Sequence, residues 1–315
     1  MRTCLLLFSA AALTLNAAPK IDNVLVRMVP PGPTSLIGGR MDQIKNTDPY
    51  KKLVAARKLP QVDQFAEESG FDPRRDVREL LYATVPSGRV LLARGTFHMN
   101  EAHLLKGGAK KISHGQYTIW GQSAGEGASG FCILDSTLAA AGEVAAIEAA
   151  LDEWKSGTHS AAQPLLARAK SIDEQSPIWG VSTEVANFLA DNIPRTSSGI
   201  DFSKIFRGLD DTWFEADPSR GLHAEIHGTT AREQDAVNVR DAVRGLVGLG
   251  RLSVPQNQPD LLRLWDGITV EQTGRSILIR ADIEQNLIDK LVEMLGRGAS
   301  QRIVENKPAP WVVVR

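Results

Sequence analysis

An excess of charge of either sign is missing from this sequence: its 315 residues carry 36 basic and 37 acidic side chains, a formal net charge of −1. A near-neutral chain lacks the basic footprint of a nucleic-acid or anionic-membrane binder, so neither partner is expected. Low-complexity tracts and long runs of like charge are also missing, which excludes a charged tail or a biased linker. Beyond residue 15 there is no apolar run near the ~20 residues that span a bilayer, so no transmembrane span is expected in the mature chain. Cysteine is nearly absent, with only Cys4 and Cys132. With 43% hydrophobic residues the chain can bury a core as one large domain or two small ones.

What is present begins at the N-terminus, "MRTCLLLFSAAALTLNAAPK". Arg2, the apolar run Cys4 to Leu15 and the small residues Ala17 and Ala18 have the layout of a secretory signal peptide over 1–17. Cleavage after Ala17 is favoured, because cleavage after Ala18 would leave Pro19 directly behind the cut. The mature chain is expected to be exported, periplasmic or extracellular, and soluble. Cys4 lies too early for a lipid-modified cysteine, and after cleavage Cys132 has no partner for an internal disulfide.

The most informative feature is internal. "SGFD" at 69–72 and "SGID" at 198–201 each precede a helical turn and two extended segments, and the second of these ends in Gly95-Thr96 or Gly228-Thr229. Each Gly-Thr leads to a polar-rich helix, "NEAHLLKG" or "AREQDAVNVRDAVRGLVG". A hairpin follows, "GQYTIWG…GFCILD" against "GITVEQTGRSILIRAD", and then a longer helix. Those helices present Val144, Ile147 and Leu151, or Leu287, Leu291 and Leu295, on one face. Leading strands match as well, "SLIGG" against "PIWGVST". The sequence therefore predicts an α+β fold of two related halves, each β-α-β-β-α-β-β-α, with mostly antiparallel sheet and helices packed on it. The expected segments are a lead-in over 18–32, halves over 33–155 and 177–297, a connection over 156–176 and a C-terminal tail over 298–315.

On "GFDPRRDVRELLYAT" and on "FCILD" followed by an Ala-rich helix, the chain resembles uncharacterised exported bacterial proteins with a duplicated α+β repeat. That resemblance implies fold and export and no known activity.

Gly121-Gln122-Ser123-Ala124-Gly125 fits the G-x-S-x-G pattern of serine hydrolases. A nucleophile elbow needs a strand, a sharp turn and a helix. Here "QYTIW" is followed by Gly125, Gly127 and Gly130, and glycine costs roughly 1 kcal/mol each in a helix, so no helix begins there. Ser123 is accordingly placed at the tip of a hairpin. In the second half the matching turn is the short "TGR" (273–275).

In "GLHAEIHGT", His223, Glu225 and His227 share one face of a strand, a spacing at which two imidazoles and a carboxylate can hold zinc. The plainer expectation is a polar outer face. His98 and His103 are five apart, which misses the H-E-x-x-H zinc helix, and His114 and His159 are placed in loops. "GLVGLG" (245–250) ends a helix rather than following a strand, unlike a dinucleotide-binding loop. "DPRRDVRE" (72–79) is expected to be a solvated helix face of paired charges, and the tryptophans are expected to build core.

No cofactor and no demonstrable catalytic site are expected. The sequence suggests an exported binding or structural protein that uses a groove between the halves, for a small molecule, or a protein partner. The alternative is a hydrolase using zinc at His223, Glu225 and His227 or Ser123 as nucleophile. In the tail "NKPAPWVVVR" Pro308 and Pro310 bar continuation of the 283–297 helix, and Trp311 to Val314 are expected to pair with a sheet edge of the same chain, with docking on another protein as the alternative.

Overall fold

The computed structural model describes residues 21–56, 60–106, 108–121, 128–157, 162–168, 172–173, 175–187, 202–254 and 258–291. The expected signal peptide, Ser123, His159 and the C-terminal tail lie outside the described residues.

Among the described residues, alternating and β-branched runs form twelve strands. They are β1 (Ser35–Arg40), β2 (Val77–Val85), β3 (Gly88–Gly95), β4 (Lys110–His114), β5 (Tyr117–Gly121), β6 (Ser129–Asp135), β7 (Leu138–Glu143), β8 (Ile178–Ser182), β9 (Leu209–Asp217), β10 (Leu222–Thr230), β11 (Ile268–Thr273) and β12 (Ser276–Ile283). All lie in one sheet in the order β11-β12-β10-β9-β8-β1-β2-β3-β7-β6-β5-β4, and the neighbours pair antiparallel. The helices are α1 (Asn23–Arg27), α2 (Met41–Ile44), α3 (Asp48–Ala56), α4 (Pro60–Ser69), α5 (Pro73–Asp76), α6 (Glu101–Lys106), α7 (Val144–Ser156), α8 (Gln163–Leu166), α9 (Phe202–Ile205), α10 (Glu233–Leu252) and α11 (Leu262–Asp266), with further helices starting at 185 and 285. The α+β class and antiparallel sheet expected from the sequence are what the structure has.

The sheet is continuous from one half of the chain to the other through β1 and β8, which pair from Ser35↔Ser182 to Gly39↔Ile178. Outward from that seam, one side reads β1-β2-β3-β7-β6-β5-β4 and the other β8-β9-β10-β12-β11. The first side thus has two strands more than the expected β-α-β-β-α-β-β-α. The hairpin that sits beside β3, as β12–β11 sits beside β10, is β7–β6 and not the pair "GQYTIWG" and "GFCILD". β4 and β5 are an addition at the far edge. Residues 141–143, expected to open the Ala-rich helix "AGEVAAIEAALDEW", belong to strand β7, and the helix begins only at Val144. "DPRRDVRE" is also corrected: its helix stops at Asp76, and Val77 onward is β2.

Strand register sorts the side chains onto two faces. One face carries Leu36, Leu81, Ala83, Val90, Leu92, Cys132 and Ala140, all buried. α7 covers it with Val144, Ile147 and Leu151, and α1 and α8 add Leu25, Leu165 and Leu166. Each such aliphatic side chain stabilises by about 1.5–3 kcal/mol when fully buried. The opposite face is followed through Ile226↔Phe214, Phe214↔Gly180, Gly180↔Ile37, Ile37↔Tyr82 and Tyr82↔Leu91. In the second half α10 covers that face, with Ala236, Val239 and Val243 packed against Val270, Ile277 and Ile279. In the first half the same face is roofed by the segment from α2 to α6, and the roof does not close onto the strands.

Candidate functional site: an apolar cavity under the helical roof

Small residues stand where the first-half sheet faces its roof. Ala93 on β3 and Ala139 and Ala141 on β7 alternate with residues that point to the α7 side. Ala93 and Ala139 are buried in one small core cluster with Phe71 and Phe97. Between Leu91, Phe131 and Ile133 below and Met41, Tyr50, Val62 and Pro73 above lies a cavity of about 430 Å³. That volume falls within the ~300–1,000 Å³ of small-molecule sites, whose walls are mostly apolar with a few placed polar groups. Phe71 and Phe97 meet edge to face, with ring centroids 5.1 Å apart and planes at 83°, and both belong to the wall.

The charged members of the wall are held by partners. Arg74 binds Asp72 through Nε and Nη2, each at 2.9 Å, and Asp63 through Nη1 at 2.8 Å, tying α4 to α5. This raises the Arg74 guanidinium pKa and holds the Asp72 carboxyl below its ordinary value. Arg89 donates from Nε to Glu143 at 2.9 Å, and both side chains are about three-quarters buried. Burial pushes the Tyr50 phenol upward. Trp120 closes one end with Leu104, Ala109 and Phe131. The cavity is built wholly from residues 41–143 and does not lie between the halves.

The residues singled out from sequence lie elsewhere. His223, Glu225 and His227 do alternate along β10, on the face that β9 continues with Trp213. His227 Nε2 lies 2.9 Å from Glu225 Oε2 and its ring stacks on Trp213, with centroids 3.6 Å apart. The other oxygen, Glu225 Oε1, accepts from Arg280 Nε at 2.9 Å, and His223 Nδ1 lies 3.1 Å from Asp282 Oδ1. The structure therefore brings His227 and Glu225 together but turns His223 to β12. Among the described residues no group of three or more His, Cys, Asp or Glu side chains is arranged to hold a metal ion. His114, expected in a loop, ends β4 and reaches Asp152 of α7 at 2.8 Å. Cys132 is buried in the core, and desolvation pushes its thiol up to about 12, which keeps it from acting as a thiolate nucleophile.

No protein-family model matches the chain, and no curated protein matches it. Among solved structures it is similar in fold to TP0453, a treponemal protein. Crystal form III of TP0453 aligns over 88% of this chain and 98% of that one, at 8% identity and a TM-score of 0.52. Crystal form I aligns over 87% and 98%, at 9% identity and a TM-score of 0.46.

Sequence reasoning missed the cavity. Its wall is drawn from positions as far apart as Met41 and Glu143, and only the register that sets Leu91 beside Ala141 unites them. The one signal in the sequence was the run of small residues at 139–142, set among otherwise bulky strands.

Proposed function

We propose that this chain is a non-catalytic binding protein, exported from the cell, that takes a small apolar ligand into the cavity between the first-half sheet and its helical roof. The single observation behind this is an apolar space of about 430 Å³ left open by Ala93, Ala139 and Ala141. A pocket of that size leaves its apolar wall against water, and an apolar ligand that fills it removes that surface from water. The paired state of Arg74 and Arg89 supports binding rather than chemistry, since neither cation is held ready for a reacting group. In the same proposal the two halves are related repeats, in keeping with the shared outward strand sequence from the seam. In the second half α10 packs against the corresponding face.

The test is titration with a neutral apolar fluorophore, N-phenyl-1-naphthylamine, against the parent chain and Ala141→Leu. The parent should bind at one site, and the leucine, which adds three carbons to the wall, should weaken binding at least tenfold. Equal binding by both proteins would place the dye elsewhere and end the proposal.

A further inference from the structure

Resting on the cavity as a ligand site, we infer that its ligand is a neutral, elongated molecule with an apolar body and one end that both donates and accepts a hydrogen bond, seated at Arg89, Ser129 and Glu143. The strands lay out the floor of the cavity in three rows. Ala93, Ala139 and Ile133 form the first, through the pairs Ala93↔Ala139 and Ile133↔Ala139. Leu91, Ala141 and Phe131 form the second in the same way. The third is Arg89, Glu143 and Ser129, with Ser129↔Glu143 in register and Arg89 Nε donating to Glu143 at 2.9 Å. All of these residues line the cavity. Residues two apart along a strand set such rows about 7 Å from one another. Every charged or hydroxyl side chain of the floor stands in the third row, while the first is packed with Phe71 and Phe97. The cavity thus has an apolar end and a polar end. The Arg89 and Glu143 side chains keep 23% and 27% of their surface accessible, so neither is sealed inside the wall.

The chemistry of the ligand's polar end follows from that row. Arg89 and Glu143 cancel one another's charge, and Arg74 on the roof is bound through all three nitrogens to Asp72 and Asp63. An ionised ligand would bring a charge with no opposite left for it, which a largely apolar wall penalises. A guanidinium only donates and a carboxylate only accepts. A hydroxyl or a primary amide answers both members of the pair without separating them. A ketone or ether answers Arg89 alone, and a hydrocarbon would leave the whole row facing an apolar surface.

The experiment compares biphenyl with para-phenylphenol, the same rod without and with a terminal hydroxyl. Affinities are read by displacement of N-phenyl-1-naphthylamine from the parent chain, from the double variant Arg89→Leu/Glu143→Leu and from Tyr50→Phe, which alters the hydroxyl on the roof. The double change removes both charges at once, and replacing a buried ion pair by apolar residues is often neutral for stability. Because the free probes differ in hydration, the quantity read is the ratio of the two affinities within each protein. That ratio should shift about tenfold against para-phenylphenol in the double variant, the amount expected for one hydrogen bond, and stay unchanged in Tyr50→Phe. In the parent, nuclear Overhauser contacts should join the unsubstituted ring to the Ala93 and Ala139 methyls and the hydroxyl-bearing ring to the Ala141 methyl. This arm stands even where the double variant fails to fold. If both probes bind but the ratio is unchanged in the double variant, or shifts instead in Tyr50→Phe, or the ring contacts are reversed, the inference is overturned and the cavity remains a binding site. If the fluorophore does not bind the parent chain, or neither probe displaces it, the cavity proposal falls and this inference with it.

Discussion

Ser35 Oγ and Ser182 Oγ lie 2.7 Å apart, both buried, where β1 meets β8 and the two halves of the sheet become one. The pair satisfies two hydroxyls that neither half could satisfy alone, and the partners are 147 residues apart in sequence. Ser182 Oγ also accepts the Glu184 N–H at 3.0 Å, so it serves two groups.

That asymmetry gives the first prediction. Ser182→Ala leaves the Ser35 hydroxyl buried and takes an acceptor from Glu184, whereas Ser35→Ala leaves Ser182 with one remaining partner. Orphaning a buried polar group costs about 1–3 kcal/mol. Ser182→Ala should lower the melting temperature by several degrees and by more than Ser35→Ala does. The double variant should be less damaging than the two single losses added together, because it removes both members of the pair. Additive melting shifts would show that the hydroxyls do not depend on one another.

The second prediction concerns Gly38, whose added Cβ would run into the Trp179 indole across the same seam. Trp179 is 4% exposed and packed into the main core, so the ring cannot yield freely. Gly38→Ala should destabilise by about 1–3 kcal/mol, the usual range for overpacking. Denaturant unfolding measures it, and a variant as stable as the parent would mean that Trp179 has room to move aside.

How far such relationships were legible differs from residue to residue. The alternation of His223, Glu225 and His227 placed them on one strand face correctly, and Val144, Ile147 and Leu151 marked the buried stripe of α7. Their partners were not legible, because Asp282 and Arg280 arrive from β12 through pairing that no local pattern encodes. β7 was misjudged because alanine is the strongest helix former in isolation, and neighbours on both sides override that preference in a central strand. β4 escaped because "KKISH" is a largely exposed edge with little apolar alternation. The cavity was invisible for a different reason: it is defined by volume that is missing, and sequence patterns report what is present.

The third prediction is for the polar face of β10. With Glu225 held by both His227 and Arg280, and His223 directed to Asp282, zinc would have to break three contacts to gather its ligands. Melting curves with a molar equivalent of zinc and with a chelator should coincide within about a degree, because only a ligand that binds the folded state raises its stability. A zinc-dependent rise that disappears in His223→Ala would restore the metal alternative.

The last prediction turns on Glu79. Its carboxylate accepts the backbone N–H of Asp22 at 2.8 Å, fixing the segment before α1 onto β2. Burial, the largest influence, raises its pKa above the ordinary 4.5, and the nearby Asp22 and Asp42 carboxylates push the same way. A group whose pKa is higher folded than unfolded contributes stability that is fully present below the unfolded value and lost as pH rises through the folded one. At neutral pH the ionised Glu79 is therefore a net liability that its single hydrogen bond does not remove. Glu79→Gln keeps a carbonyl oxygen for the Asp22 N–H and has no charge to bury. Its urea midpoint should exceed that of the parent at pH 7, and the gap should close as the pH falls toward 4.5 and below, where the parent carboxyl is protonated too. Should Glu79→Gln unfold at lower urea than the parent at pH 7, the charge itself would be what holds Asp22 in place, with Arg40 as the cation that favours the ionised carboxylate.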